Sequence, residues 1–271
     1  MPRWTLDDIP WSEFDARKVT PTFLAIAKTA SLVEANSGDY VTYLCNVFAG
    51  DPEFQDAARA WGEEEIQHGI ALGRWAEMAD PDFSFERSLE HFRAGYRLPL
   101  EATESVRGSR AGELIARCVV ETGTSSFYSA IRDACGEPVL REIAKRIARD
   151  EFFHYQLFEK HLRRYEAEGK LPAWRRLKIA LGRVQETDDD ELAYAYYSAN
   201  EAFLPDAPAY DVKRCAATYA RAAMSVYGRA HVDNAARMIL RAADLNPNGM
   251  LAGVLSSVGW RFVARKQARA A

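Results

Sequence analysis

Two short phrases in this chain join carboxylates to an imidazole at the same spacing. "WGEEEIQHG", Trp61 to Gly69, sets three glutamates ahead of His68, and "RDEFFHY", Arg149 to Tyr155, sets an acidic pair ahead of His154. Superposing the histidines pairs Glu65 with Glu151, Glu64 with Asp150 and Glu63 with Arg149. Only the position three before the histidine is glutamate in both. Glu65 is therefore the residue expected to work with His68, and Glu63 reads as a surface charge. On a helix, residues three apart share one face. Carboxylate oxygen with imidazole nitrogen, and no thiolate, suits iron or manganese.

The neighbouring residues say which face this is. Phe54, Ala58, Trp61, Glu65, His68, Leu72 and Trp75 recur at spacings of three and four, and so do Ile143, Ile147, Glu151, His154, Phe158 and Leu162. Both Glu–His pairs thus fall in an apolar stripe that should face a core, where a bare carboxylate is costly unless paired or metal-bound. Two further stretches supply matching acids. "ASLVEANSG" aligns Glu34 with Phe23, Ala27, Ala30, Val41 and Phe48, and "CVVETGTSSFY" aligns Glu121 with Leu114, Cys118, Tyr128 and Ile131. Glu121 follows Glu34 by 87 positions and His154 follows His68 by 86, as a duplicated helix pair would. Four such glutamates and two histidines need counter-charge, which two divalent cations would supply. A metal-free buried polar network is the bland alternative. Tyr128 and Trp61 read either as core aromatics or as redox-active side chains.

The elements that must position these residues are helical throughout. Asp51 with Pro52, Gly136 with Pro138, and "EGKLPAW" at 168–174 punctuate the pattern. Four long helices are predicted over about 22–49, 52–79, 110–135 and 137–168, with a long crossover between the second and third. Residues 20–170 form the expected bundle and 171–271 the accessory helices, placed at about 172–186, 189–203 and 210–244 before an apolar tail. "TDDDEL" at 187–192 reads as a helix N-terminus with favourable charge.

Composition limits the rest. A net charge of −4 argues against nucleic acid as the main partner. No apolar run reaches the roughly 18 residues of a membrane span, and "MPRWTLDDIPW" has no apolar leader. The four cysteines form no CxxC pair, which disfavours a zinc ribbon or rubredoxin-type iron. Together these predict a reduced, cytoplasmic protein.

The six-residue pattern resembles the ferritin-like di-iron carboxylate superfamily. Within it, "ARAWGEEEIQHG", "IARDEFFHYQLFEKHL" and "ETGT" are most similar to the acyl-ACP desaturases, over residues 22–168. The resemblance implies an all-α, ferritin-like four-helix bundle. It implies Glu34 and Glu121 as terminal ligands, Glu65 and Glu151 as bridging ligands, and His68 and His154 as nitrogen ligands of two Fe ions, with Mn or a mixed pair as variants. Glu64 and Asp150 would accept the other ring N–H of the histidines. Thr124, in the Glu-x-x-Thr, would take the catalytic, oxygen-side role. The implied activity is that of an O2-activating oxidoreductase, desaturase- or oxygenase-like, on an organic substrate, with an acyl thioester as the candidate. An external ferredoxin-like electron donor, an acyl carrier protein and a homodimeric partner follow from the same resemblance. The alternative is a ferritin- or rubrerythrin-like protein that handles iron or removes peroxide without an organic substrate.

Three departures narrow the field. Leu72 stands where ribonucleotide reductase small subunits carry their radical tyrosine. No Cys-rich rubredoxin segment is present, and the chain outruns a ferritin subunit. Residues after Pro172 have no counterpart in the resemblance. Arg163, Arg164, Arg175, Arg176 and Lys178 form a basic cluster, read first as a solvated face and second as a dock for an acidic carrier or ferredoxin. His231 is assigned no role.

Overall fold

The expected helix starts are made by the residues that announce them. In the computed structural model, which describes residues 3–167, 169–185 and 190–268, α1 spans Pro21–Ala35, α2 Ser37–Val47, α3 Pro52–Ala79, α4 Phe85–Gly95, α5 Arg110–Ala134 and α6 Pro138–Glu166. After them come α7 Ala173–Gln185, α8 Asp190–Asn200, α9 Val212–Ser225, α10 Arg229–Ala242 and α11 Met250–Ala268. No strand occurs among the described residues. Asp51 accepts from the Phe54 amide and Ser109 from the Gly112 amide, each satisfying a donor that a first helical turn leaves free. Pro52 and Pro138 lie in first turns, where the missing N–H costs nothing. The reading of Thr187–Asp189 as a helix start lies outside the described residues.

Three expected elements are corrected. The single helix over 22–49 breaks at Asn36 (φ −86°, ψ 5°) into α1 and α2. Ser37 and Gly38 follow it, a pair that favours kinks. The kinked backbone is held from outside: Arg93 donates to the Ala35 carbonyl at 2.8 Å, and Ser37 Oγ to the Gly62 carbonyl at 3.0 Å. The crossover, read as a plain link, contains α4, capped by Ser84. The stretch 210–244 divides at Gly228, whose N–H donates to His231 Nδ1 at 2.9 Å, so His231 has a capping role after all.

A polar layer divides the core in two. One apolar cluster gathers Phe23, Ile26, Leu32, Leu72, Trp75, Tyr128, Ile131, Ile143 and Ile147; the other gathers Leu44, Phe48, Phe54, Trp61, Leu114, Cys118, Tyr155, Phe158 and Leu162. On each of the four long stretches, the acidic and histidine positions fall between the two. Because α3 and α5 both run from the second cluster to the first, the chain must return along the length of α3 between them. At 28 residues, α3 is roughly 42 Å long, which is why the connection 80–109 is long. The later helices pack outside: α8 on α1 and α4, α7 and α10 on α5, and α9 and α11 against α8 and α10 respectively. No helix among the described residues is long and apolar enough to cross a membrane.

Candidate metal centre

The polar layer contains all six residues singled out by their spacing. Glu34 comes from α1, Glu65 and His68 from α3, Glu121 from α5, and Glu151 and His154 from α6, and all are buried. They form two groups whose donor atoms lie within 4.8 Å of one another: Glu34, Glu65, His68 and Glu151, and Glu65, Glu121, Glu151 and His154. Glu65 and Glu151 belong to both. Each group also has one carboxylate and one histidine of its own. Glu63, at the neighbouring position, is exposed.

Close helix approach makes this possible. A Cβ on Gly69 would lie 2.6 Å from the Ala35 amide nitrogen and 2.7 Å from the Ser31 carbonyl oxygen. Gly69 thus lets α3 lie against the end of α1 one residue beyond His68, bringing Glu34 within reach.

The histidines are oriented by crossed bonds. His68 Nε2 pairs with Asp150 on α6 at 3.1 Å, and His154 Nε2 with Glu64 on α3 at 2.9 Å. Each acidic residue thereby orients the histidine of the opposite helix. This leaves the Nδ1 atoms facing the carboxylates. His68 Nδ1 lies 3.4 Å from Glu65 and Glu151 and 3.7 Å from Glu34. His154 Nδ1 lies 3.1 Å from Glu65, 3.8 Å from Glu151 and 3.9 Å from Glu121. Neither Nδ1 has a hydrogen-bond partner, and neither has Glu151 Oε1. Buried atoms of this kind are rarely left unpaired.

The protons of the cluster tell the same story. Burial, reinforced by the neighbouring Glu65 charge, pushes Glu34 well above the usual carboxylate range, and burial with the Glu151 charge does so for Glu121. Burial opposes charge on His68 and His154. It is outweighed by the nearby Asp150 and Glu151 carboxylates at His68, and by those of Glu65 and Glu151 at His154, so both lie well above an ordinary imidazole. Burial also opposes charge on Glu65, yet the neighbouring Glu34 and His154 hold it well below its ordinary value. The outer members of the metal-free cluster thus hold their protons to higher pH than ordinary carboxylates and imidazoles do. The unpaired Nδ1 atoms and an all-oxygen-and-imidazole donor set fit two divalent cations, which would displace those protons.

Further side chains surround these six. Arg117, buried among the rings of Tyr40, Trp61 and Phe158, donates to Glu121 Oε1 at 3.0 Å. The Tyr128 hydroxyl donates to Glu34 Oε1. Both lie at helical spacing from Glu121, which is the one signal the sequence offers for them. From the N-terminal segment, Trp4 stacks on His68 with ring centroids 6.0 Å apart and donates its Nε1 to Asp150 at 2.6 Å, while Arg3 pairs with Glu64 at 2.7 Å. No local pattern links residue 4 to residues 68 and 150. Thr124 is half-buried at the edge of the layer and donates to Glu151 Oε2 at 2.6 Å.

The basic cluster is mostly a solvated face, with Arg176 as its one buried member. Arg176 is buried and donates to the Ala242 and Ala243 carbonyls, Arg163 pairs with Glu159, and Arg164 pairs with Asp51 and Glu53. Arg163, Arg175 and Lys178 are exposed. No protein-family model matches the chain, and no curated protein matches it significantly. Its functional reading therefore rests on its own residues: an all-helical protein whose buried carboxylate and histidine groups could hold two metal ions.

Proposed function

We propose that the chain is a ferritin-like di-iron oxidoreductase that activates O2 to oxidise an organic substrate in a desaturase- or oxygenase-like reaction. The observation that carries this reading is the pair of buried four-residue groups sharing Glu65 and Glu151, each with a private carboxylate and histidine. Bound iron would supply the reduction of dioxygen and the oxidising power for a C–H bond. The protein's own residues do the rest. Asp150 and Glu64 fix the imidazoles, Glu34 and Glu121 give up protons to bind the ions, and Thr124 holds one oxygen of Glu151. Residues 20–170 form the dimetal bundle, and 171–271 are accessory helices packed on it. An acyl thioester is the proposed substrate class, with a ferredoxin-like donor, an acyl carrier protein and a second copy of the chain as proposed partners.

A second reading has one observation in its favour. Trp4 and Arg3 close over the histidine partners, which would suit small reactants in an iron-handling or peroxide-removing protein. Elemental analysis after growth with iron and manganese both available tests the common ground, with about two metals per chain expected. Rapid loss of added peroxide by the iron-loaded protein, without O2 uptake under reducing conditions, would select the second reading. O2 uptake coupled to oxidation of an acyl thioester would select the first. Folded protein that takes up no metal sinks both.

A further inference from the structure

The two groups are alike in donors but not in what stands behind them. Glu34 is held by the neutral Tyr128 hydroxyl, whereas Glu121 is held by the Arg117 guanidinium. Arg117 is itself buried, 7 % exposed, among the rings of Tyr40, Trp61 and Phe158, and Glu121 accepts from its guanidinium. Arg3 adds to the same side. It is 2.7 Å from Glu64, the partner of His154, and 3.5 Å from Asp150, the partner of His68. Being partly exposed, Arg3 is screened and counts for less than Arg117.

We propose that the two metal positions fill in order, the Glu34–His68 position first and the Glu121–His154 position second, because Arg117 places a fixed positive charge beside the carboxylate that the second ion must use. This rests on the dimetal reading above. A fixed positive charge in a buried site repels a divalent cation, while a neutral hydroxyl does not. The shared Glu65 and Glu151 serve whichever ion arrives first. The second ion meets a centre whose bridging charge is already partly used and whose private carboxylate is already paired. Arg117 is thus a positioning residue with an electrostatic effect: it orients Glu121 and sets the affinity of one position.

The test begins with the native protein. Crystals of protein loaded anaerobically with one equivalent of Mn(II) should show the anomalous peak at the Glu34–His68 position. Calorimetric titration should resolve two steps separated by about tenfold or more. In R117Q the weaker step should tighten and the two steps merge, while R117K, which keeps the charge, should keep them apart. Equal occupancy at one equivalent, or a first ion beside Glu121 and His154, overturns the proposal. So does an R117Q variant, folded by circular dichroism, with unchanged steps. Should R117Q not fold, occupancy in the native protein decides alone. Failure to bind any Mn(II) or Fe(II) is a different result, since it removes the dimetal reading itself and the ordering with it.

Discussion

The two halves of the layer carry the same ligand-type residues but meet them with different architecture. In the first half, the stretch bearing Glu34 is broken at Asn36, and α3 closes on it through Gly69, with no room for a Cβ. In the second half, α5 and α6 run unbroken past Glu121 and Glu151. The α5 glycine nearest the site, Gly123, faces open space. The first half is brought together by backbone proximity, the second by long, regular packing with a buried Arg117–Glu121 pair. Repetition of the donor set therefore does not require repetition of its supports. What must be kept is the position of six side chains, and a kink or an ion pair can each achieve it.

The shared residues offer the strongest way to break this comparison. Glu65→Ala or Glu151→Ala should take metal content from about two per chain toward zero, because both ions lose a ligand. Glu34→Ala should leave about one. Elemental analysis of the three variants side by side reads the difference. Equal losses in all three would mean that the halves are not separable in this way.

Changing pH should separate the metal-loaded and metal-free protein. Glu34 and Glu121 are raised by burial, so their contribution to the metal-free fold is complete below the ordinary carboxylate pKa and is lost as pH rises through their elevated values. Metal binding has the opposite sign, since the same protons must leave. The gap in melting temperature between loaded and metal-free protein should widen from about pH 5 to about pH 8, by about 2–4 °C per tenfold gain in affinity. Titration with metal in weak buffer should release protons. A gap that narrows with pH would contradict the assignment of protons to Glu34 and Glu121.

Glycine substitutions probe the supports themselves. Gly69→Ala should destabilise the protein by about 1–3 kcal/mol, because the new methyl meets backbone atoms of α1 that cannot easily retreat. It should also lower metal content, by moving α3 away from Glu34. Gly123→Ala should do the reverse, stabilising by up to about 1 kcal/mol, as alanine replaces glycine within a helix at a site with free space. Urea unfolding of the two variants measures both. Matching losses would mean that α5 is as tightly approached as α3.

Much of the site is legible in the order of residues. Glu65 with His68 and Glu151 with His154 stand out because a helix places residues three apart on one face, and the flanking Trp61, Leu72, Ile147 and Phe158 show that the face is inward. The alignment singles out Glu64 and Asp150 as matching acids, but not the crossing that pairs each with the histidine of the other helix. The break at Asn36 is masked by the apolar period, which continues through it from Glu34 to Val41 and Phe48, although Ser37 and Gly38 permit a kink there. The split at Gly228 is hidden for the same reason. The role of Trp4 has no local signature, since it depends on contacts with His68 and Asp150, far along the chain.

The sequence alone determined which side chains share a helix face and where the helices opened by Pro52 and Pro138 begin, because these follow from the 3.6-residue repeat and from donors left free in a first turn. Those are local constraints, written within about one to two turns of chain. Only the tertiary structure decided that the four faces meet in one layer and that Glu65 and Glu151 are common to both groups. It also decided that a neutral hydroxyl stands behind Glu34 and a charged guanidinium behind Glu121. Those relations depend on how the helices pack, and packing is set by contacts between residues far apart in the chain.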